Sequence, residues 1–161
     1  MLGASGAALA ARRQLVFRLA VAAAVYYLLV ILWGSWVRIS GAGSGCGDHW
    51  PLCNGDVVPV QAGKKTWIEY LHRLSTGLAG PLGIWLTWAA YRATAAGARL
   101  RRAAVAQLLL LGGEAFIGAV LVKKGLVVDD DSAARAWVMG LHLINTYALI
   151  AATVLCAVWS G

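Results

Sequence analysis

Hydrophobic residues gather in four long blocks, and shorter segments rich in polar residues and glycine separate these blocks. The blocks cover about residues 19–37, 67–91, 103–122 and 136–159. At ~1.5 Å per helical residue, each is long enough to cross about 30 Å of hydrocarbon. A chain in lipid must satisfy its own backbone groups, and these blocks are too long for barrel strands. The pattern predicts an all-α integral membrane four-helix bundle, a single transmembrane domain over residues 1–161.

Composition supports a membrane protein. The chain is 60% hydrophobic and 13% charged, whereas soluble domains are typically about 45–50% apolar and about 25% charged. The net charge of +7 could indicate nucleic acid, but the arginines flank the apolar blocks, so we predict no nucleic-acid partner. The first block exceeds the roughly 7–15 apolar residues of a signal peptide, so we predict a retained span.

Arginine density predicts the orientation. The segment between the second and third blocks carries Arg92, Arg99, Arg101 and Arg102. Because short cytoplasmic loops are enriched in Lys and Arg, we expect this segment and both termini to be cytoplasmic. The loop over residues 38–66 would then lie outside the cytoplasm, in a multi-pass protein of the cell (plasma or inner) membrane.

That outer loop contains the stretch GSGCGDHWPLCNG, in which His49 lies between Cys46 and Cys53. Outside the cytoplasm a cysteine pair can persist as a disulfide. The bridge could be purely structural or redox-active, and the residues favour neither. A zinc site is not expected, because two thiols and one histidine supply only three ligands. Cys156, in the last block, is interpreted as a small buried hydrophobe.

Two histidines lie at matching depths. His72 and His142 each follow the start of their block by about a turn and a half, so both should lie roughly 8 Å below the outer interface. Two imidazoles at one level on facing helices can ligate a haem iron from both sides. We therefore predict a haem held by His72 and His142.

Other polar residues within the blocks are candidates because ionisable side chains in a membrane are rare and costly. Glu69 shares a helical face with His72 and is spaced to pair with Arg73. Arg73 could reach the interface or contact a haem propionate. Glu114 is expected to bond within the bundle. We also take Arg38 and Asn145 as candidates for haem contact.

The stretches RISGAGSGCGDHWPLCNG and KTWIEYLHRLSTG, followed by HLINTYALIAA near the end, resemble haem A synthases. The similarity covers nearly all of the chain after about residue 30. The cysteine loop and the Glu-x-x-His-Arg motif are specific in combination, although either alone would be weak.

The resemblance implies an oxidoreductase that converts the ring D methyl of haem O to the formyl of haem A for terminal oxidases. It implies a disulfide between Cys46 and Cys53, a catalytic Glu69, and His72 and His142 as axial ligands. Haem O or haem A would be bound as substrate or product, and haem b is a further candidate. Candidate partners are haem O synthase and the terminal oxidase assembly machinery.

Family members usually have eight spans in two similar halves, whereas this chain ends after the fourth block. We expect either a half-size protein that pairs with another copy or a fragment of a longer one, and the abrupt end favours the fragment. Two other functions stay open. One is a bis-histidine cytochrome b that only carries electrons, and the other is a thiol–disulfide oxidoreductase that uses a quinone.

Overall fold

The computed structural model describes residues 2–128 and 130–161, and these fold into four α-helices. The helices are α1 (Leu2–Ile39), α2 (Lys64–Ala93), α3 (Arg99–Lys123) and α4 (Ala133–Ser160). No strand occurs in the described residues, and an isolated bridge pairs Cys53 with Asp56. The predicted all-α fold is confirmed.

Each helix contains its predicted block and extends beyond it at both ends. The largest extension is in α1, which begins at Leu2 although the apolar block starts near residue 19. The added segment is rich in alanine and contains no proline, so its residues favour a helix whether or not they lie in lipid. The apolar block therefore marks the part suited to hydrocarbon and underestimates the helix.

Three helical segments are long and apolar enough to cross a membrane: Gly6–Ile39, Arg99–Lys123 and Ala133–Ser160. They indicate a membrane protein. Helix α2 has 30 residues, yet it falls outside this set because its polar residues and glycines lower its apolar character. Membrane crossing by α2, the side on which the loop lies, and the location of the termini stay predictions.

The helices contribute to two compact units. The first comprises Met1–Leu28, Ala79–Gly112 and Thr146–Gly161. Its core consists largely of small buried side chains, namely Ala20, Ala23, Ala79, Ala89, Ala90 and Ala104. Small residues let helix backbones approach closely. Helices in lipid depend on this close van der Waals packing, because the hydrophobic effect does not favour their association there.

A buried amide lies in this first unit. Gln107 is fully buried, and its Nε2 donates to the carbonyl of Gly83 at 2.9 Å and to Thr87 Oγ1 at 3.0 Å. Its Oε1 accepts a hydrogen bond from the Tyr27 hydroxyl at 3.3 Å. We call these four residues the Gln107 cluster. Every hydrogen-bonding group of the amide is used, as a polar side chain in an apolar core requires.

The second unit comprises Leu29–Leu78 and Gly113–Asn145. It contains the end of α1, the cysteine loop, the start of α2, the end of α3 and the start of α4. The indole nitrogen of Trp33 in α1 donates to the carbonyl of Ile68 in α2 at 3.0 Å. This bond ties the two helices together one turn before His72.

Candidate functional site

The second unit contains all the residues that the sequence singled out for chemistry. They are Glu69, His72, His142, Cys46 and Cys53, with the candidates Arg38, Arg73 and Asn145. The contacts among them form two groups. One fastens the cysteine loop to α2, and the other surrounds the histidines.

Cys46 and Cys53 form a disulfide, with their sulfur atoms 2.01 Å apart. Both cysteines are buried. Inside the loop, the amide of Asn54 donates to the carbonyl of Cys46 at 3.0 Å, and the amide of Cys53 donates to Asp56 at 2.9 Å. The predicted disulfide is confirmed, and it closes a loop with internal hydrogen bonds.

Glu69 and Arg73, one turn apart on α2, hold this loop. The amide of Cys46 donates to Glu69 Oε2 at 2.8 Å, and Arg73 Nε donates to Glu69 Oε1 at 3.0 Å. Arg73 also donates to the loop carbonyls of His49 and of Leu52, the latter at 2.7 Å. Both side chains are largely buried, with 12% of Arg73 and 5% of Glu69 exposed. The predicted Glu69–Arg73 pair thus exists, and it fastens the loop to the helix that carries His72.

Gly45 allows the loop to lie this close to α2. A Cβ atom at this position would be 2.7 Å from the carbonyl carbon and oxygen of Lys65 and 2.8 Å from the amide nitrogen of Thr66. Backbone atoms of a helix cannot move aside as a flexible side chain can. The hydrogen bond between Cys46 and Glu69 therefore depends on the absence of a side chain at Gly45.

The imidazole of His72 packs against α1 at Gly34. A Cβ atom on Gly34 would lie 2.9 Å from His72 Cε1 and 3.2 Å from Nε2. The Nδ1 atom of His72 is buried and has no hydrogen-bond partner among the described residues. Buried polar atoms are normally paired, so an unpaired one calls for an explanation such as a missing ligand. His142 is close enough to interact electrostatically with this ring.

His142, on α4, contacts a carboxylate of α3. Its Nδ1 lies 2.9 Å from Glu114 Oε2, and Asn145 Nδ2 donates to the other oxygen, Oε1, at 2.7 Å. The carboxylate therefore bridges a histidine and an amide located one turn apart on α4. The expectation that Glu114 bonds to neighbouring helices agrees with these contacts, but its partner is one of the two histidines.

The remaining candidates for haem contact differ in their surroundings. Arg73 is engaged by Glu69 and by the loop carbonyls, and Asn145 is engaged by Glu114. Arg38 lies in the last turn of α1 and is exposed. Contact between haem and any of these three stays a prediction.

The residues fit a metalloporphyrin. Iron in a porphyrin needs protein ligands only on its two axial sides, and imidazole is a common one. His72 offers a ring with a buried unpaired nitrogen beside a bare backbone. His142 offers a ring whose Nδ1 already faces a carboxylate, an arrangement typical of metal-binding histidines. Together they could hold a haem whose redox chemistry the iron supplies.

Sequence reasoning missed two features of this site. One is Gly34, which provides the space for the His72 ring, and the other is the pairing of Glu114 with His142. The available signals were a glycine interrupting an apolar block and an ionisable residue beside Gly112 and Gly113 in another block. Neither signal indicates which helix face meets which neighbour.

Comparison with known proteins gives a family match over most of the chain. Residues 17–161 match the family described as cytochrome oxidase assembly protein. A protein named "Protoheme IX farnesyltransferase" from Thermus thermophilus is 42% identical over 137 residues, which cover 85% of this chain and 22% of that protein. Proteins named "Heme A synthase" from Bacillus cereus and Bacillus anthracis are 35% identical over 140 residues, which cover 85% of this chain and 43% of theirs.

The chain thus spans about a fifth of the length of the Thermus protein and less than half of that of the Bacillus proteins. No solved structure matches the chain significantly.

Proposed function

Because this chain belongs to the haem A synthase family of cytochrome oxidase assembly proteins, we propose that it binds haem O and contributes to oxidising the ring D methyl to a formyl. The product is haem A. The relatives' names support a porphyrin ligand, since both "Protoheme IX farnesyltransferase" and "Heme A synthase" refer to a haem. The chain spans less than half of these relatives, so a second copy or a further segment would complete the enzyme.

The proximity of His72 and His142 within one compact unit is the observation that carries this proposal. The two residues are far apart in sequence, yet both belong to the second unit, where His142 is near enough to act electrostatically on the His72 ring. The unpaired Nδ1 of His72 and the bare backbone of Gly34 add support. In this proposal the two imidazoles hold the substrate haem through its iron.

Glu69 would lie beside this haem and would act through its negative charge and through the loop that it holds. One of its oxygens accepts the amide of Cys46 and the other accepts Arg73, so the carboxylate is directed toward donors. This arrangement favours electrostatic stabilisation of positive charge developing at the oxidised methyl over abstraction of a proton. Glu69 also fixes the cysteine loop, which would cover the site and exclude bulk water.

Conversion of a methyl to a formyl group with water as the source of oxygen (R–CH3 + H2O → R–CHO) releases four protons and four electrons, so an external oxidant has to accept two electrons twice. The electrons leave through an acceptor outside the described residues, and the haem iron supplies redox chemistry when bound. The chain's own part is to bind the haem, orient its edge toward Glu69 and keep the site covered. We place the cysteine loop outside the cytoplasm, where a disulfide persists.

Haem binding is the first test. The whole chain would be expressed in cells that make haem O but no haem A, and the purified pigment identified by mass spectrometry and absorbance. We expect bound haem, and a lower haem content in His72→Ala and in His142→Ala. His49→Ala is the matched control, because the His49 side chain is half exposed in the loop and only its carbonyl contacts Arg73. Unchanged haem content in both histidine variants would overturn the ligand assignment.

Formyl formation is the second test. Membranes containing the chain, alone or together with the remaining length of a relative, would be supplied with haem O. We expect haem A to accumulate, and we expect Glu69→Gln to reduce its yield while leaving haem bound. Unmodified haem with reversible redox spectra under all conditions would instead indicate an electron carrier. Activity that vanishes only on replacement of both loop cysteines would indicate thiol–disulfide chemistry.

A further inference from the structure

The two histidines have different surroundings. The difference between them is one of charge: His142 Nδ1 makes an ionic contact of 2.9 Å with a carboxylate oxygen of Glu114, and among the described residues no carboxylate contacts His72 in this way. Neither Nδ1 atom is part of a regular hydrogen bond within the described part of the chain. Glu114 is itself mostly covered, with 18% of its side chain exposed. Its second oxygen accepts Asn145 Nδ2 at 2.7 Å. One imidazole is thus backed by a fixed carboxylate and the other is not.

The carboxylate is held firmly in place. A Cβ atom on Gly113, the residue before Glu114, would lie 3.0 Å from Asn145 Oδ1. Helices α3 and α4 are therefore in close contact at this level, and the side chain of Glu114 is confined between His142 and Asn145. Burying a carboxylate in apolar surroundings costs free energy, whereas a residue such as leucine would pack there without that cost. Its presence beside a histidine therefore indicates a role in positioning that histidine.

A carboxylate at Nδ1 changes how an imidazole binds metal. A carboxylate 2.9 Å from Nδ1 favours the tautomer that has hydrogen on that nitrogen, restrains the ring, and makes Nε2 a stronger electron donor. His142 would present Nε2 to an iron in this state. Among the described residues His72 has no carboxylate at Nδ1, so no such contact favours one tautomer or restrains its ring, and it is the weaker ligand of the two.

We propose that Glu114 is a positioning residue that makes His142 the firm axial ligand and leaves His72 the labile one. This inference rests on the proposed haem binding between the two histidines. A protein that modifies a haem must take up its substrate and then release the product. With unequal ligands, His72 would release a bound haem first while His142 would still hold it.

The primary test compares haem release from variants of the whole chain in detergent, by transfer of the pigment to excess apomyoglobin. Loss of a carboxylate behind a metal-binding histidine typically lowers metal affinity about 10- to 100-fold. We therefore expect Glu114→Gln to accelerate haem release by about that factor, and Glu114→Asp to have a smaller effect. The reduction potential of the bound haem should rise in Glu114→Gln, because a weaker donor stabilises ferric iron less.

Thr153→Val is the matched control. Thr153 is fully buried on the same helix as His142, and its hydroxyl donates to the carbonyl of Leu149 within α4. This variant alters a buried polar group of α4 without touching Glu114. Haem release and potential should equal those of the unmodified protein. A similar change in this control would assign the effect of Glu114→Gln to general loosening of the helix.

The histidine variants keep the inference testable if Glu114→Gln fails to fold. We expect His72→Ala to retain part of its haem through His142, and His142→Ala to lose nearly all. Equal loss of haem from both variants would overturn the proposed difference between the two ligands. It would still support the proposal that both histidines bind haem. Full retention of normally ligated haem in both would instead overturn the proposed binding site. Unchanged release and potential in a folded Glu114→Gln variant would overturn the role of Glu114 alone.

Discussion

The two compact units contain polar clusters that differ in how completely their groups are paired. In the first unit, the amide of Gln107 uses both donors and its acceptor on Gly83, Thr87 and Tyr27. In the second unit, the buried Nδ1 of His72 has no partner among the described residues. Both clusters lie on long, mostly apolar helices.

Satisfaction of hydrogen bonds separates structural from ligand-binding polar groups. A buried amide with all its partners holds helices together and has nothing left to offer a ligand. A buried imidazole with an unused nitrogen costs stability unless something binds nearby. The same contrast exists inside the second unit, where Glu69 and Arg73 are fully engaged in holding the cysteine loop. In the proposed function the histidines are the ligand-binding part of this unit, and the Glu69–Arg73 pair supports them.

The largest expected effect is at Arg73. Replacing it in Arg73→Met leaves the carboxylate of Glu69 largely buried without its cation, and breaking a buried ion pair in this way typically costs about 3–5 kcal/mol. Unfolding in mixed micelles would measure the loss. The double variant Glu69→Gln with Arg73→Met should recover part of it, because no uncompensated charge remains. A stable single variant would show that the pair does not hold the loop.

The next effect is at the disulfide. Replacing both cysteines in Cys46→Ser with Cys53→Ser removes a short covalent loop, which in the chain-entropy estimate costs about 2–3 kcal/mol. The same unfolding assay would measure it, and Cys156→Ala would serve as a control outside the loop, since it replaces a small buried thiol with a small apolar side chain. We expect haem binding to persist, because the loop is also held by Arg73. Complete loss of haem would mean that the bridge shapes the histidine site directly.

Gln107→Leu tests the other side of the comparison. It removes hydrogen bonds inside the first unit and leaves buried groups such as the Tyr27 hydroxyl unpaired, at a typical cost of about 1–3 kcal/mol. Haem affinity should not change, since the Gln107 cluster is fully paired within its own unit. A parallel fall in haem content, measured at a temperature where the variant is folded, would contradict the division between the two clusters.

The substitution with the smallest expected effect on stability is Gly34→Ala, which should act mainly on haem affinity. A methyl at Gly34 would press on the His72 ring, and we expect Gly34→Ala to lower haem affinity about 10-fold, or about 1.4 kcal/mol. The haem-free protein should be as stable as before or slightly more so, because alanine favours helix. Gly77→Ala on α2 is the control, since no atom lies within 4 Å of its added Cβ. Equal haem affinities in the two variants would exclude Gly34 from the site.

The fold was largely predictable because apolar blocks of membrane length leave a chain few alternatives to helix. The ends of the helices were less so. Helix α1 begins at Leu2 although its apolar block starts near residue 19, because alanine-rich sequence continues a helix beyond the apolar run. Helix α2 was predicted over residues 67–91 and runs from Lys64 to Ala93, so its ends were displaced by only two or three residues.

The Glu69–Arg73 pair was predictable from its spacing of four residues, and the disulfide from the predicted place of the loop outside the cytoplasm together with the family resemblance. The contacts between distant helices were not. Whether Glu114 meets His142 depends on the rotation of α3 and α4 about their axes, and neither helix has a clear polar face that would fix this rotation. The contact of Gly34 with His72 could not be predicted for the same reason, because a glycine in a helix does not indicate which residue of a neighbouring helix packs against it.

Trp33 and Gly34 are neighbours in sequence that support the turn around His72 in different ways. The indole of Trp33 binds the carbonyl of Ile68, the same carbonyl that the His72 amide uses in a regular helix. Gly34 leaves room for the imidazole itself. Anyone who transplants the turn that carries His72 into another scaffold would therefore have to graft this dipeptide of α1 with it, because the turn alone lacks the partner of its Ile68 carbonyl and the space for its imidazole.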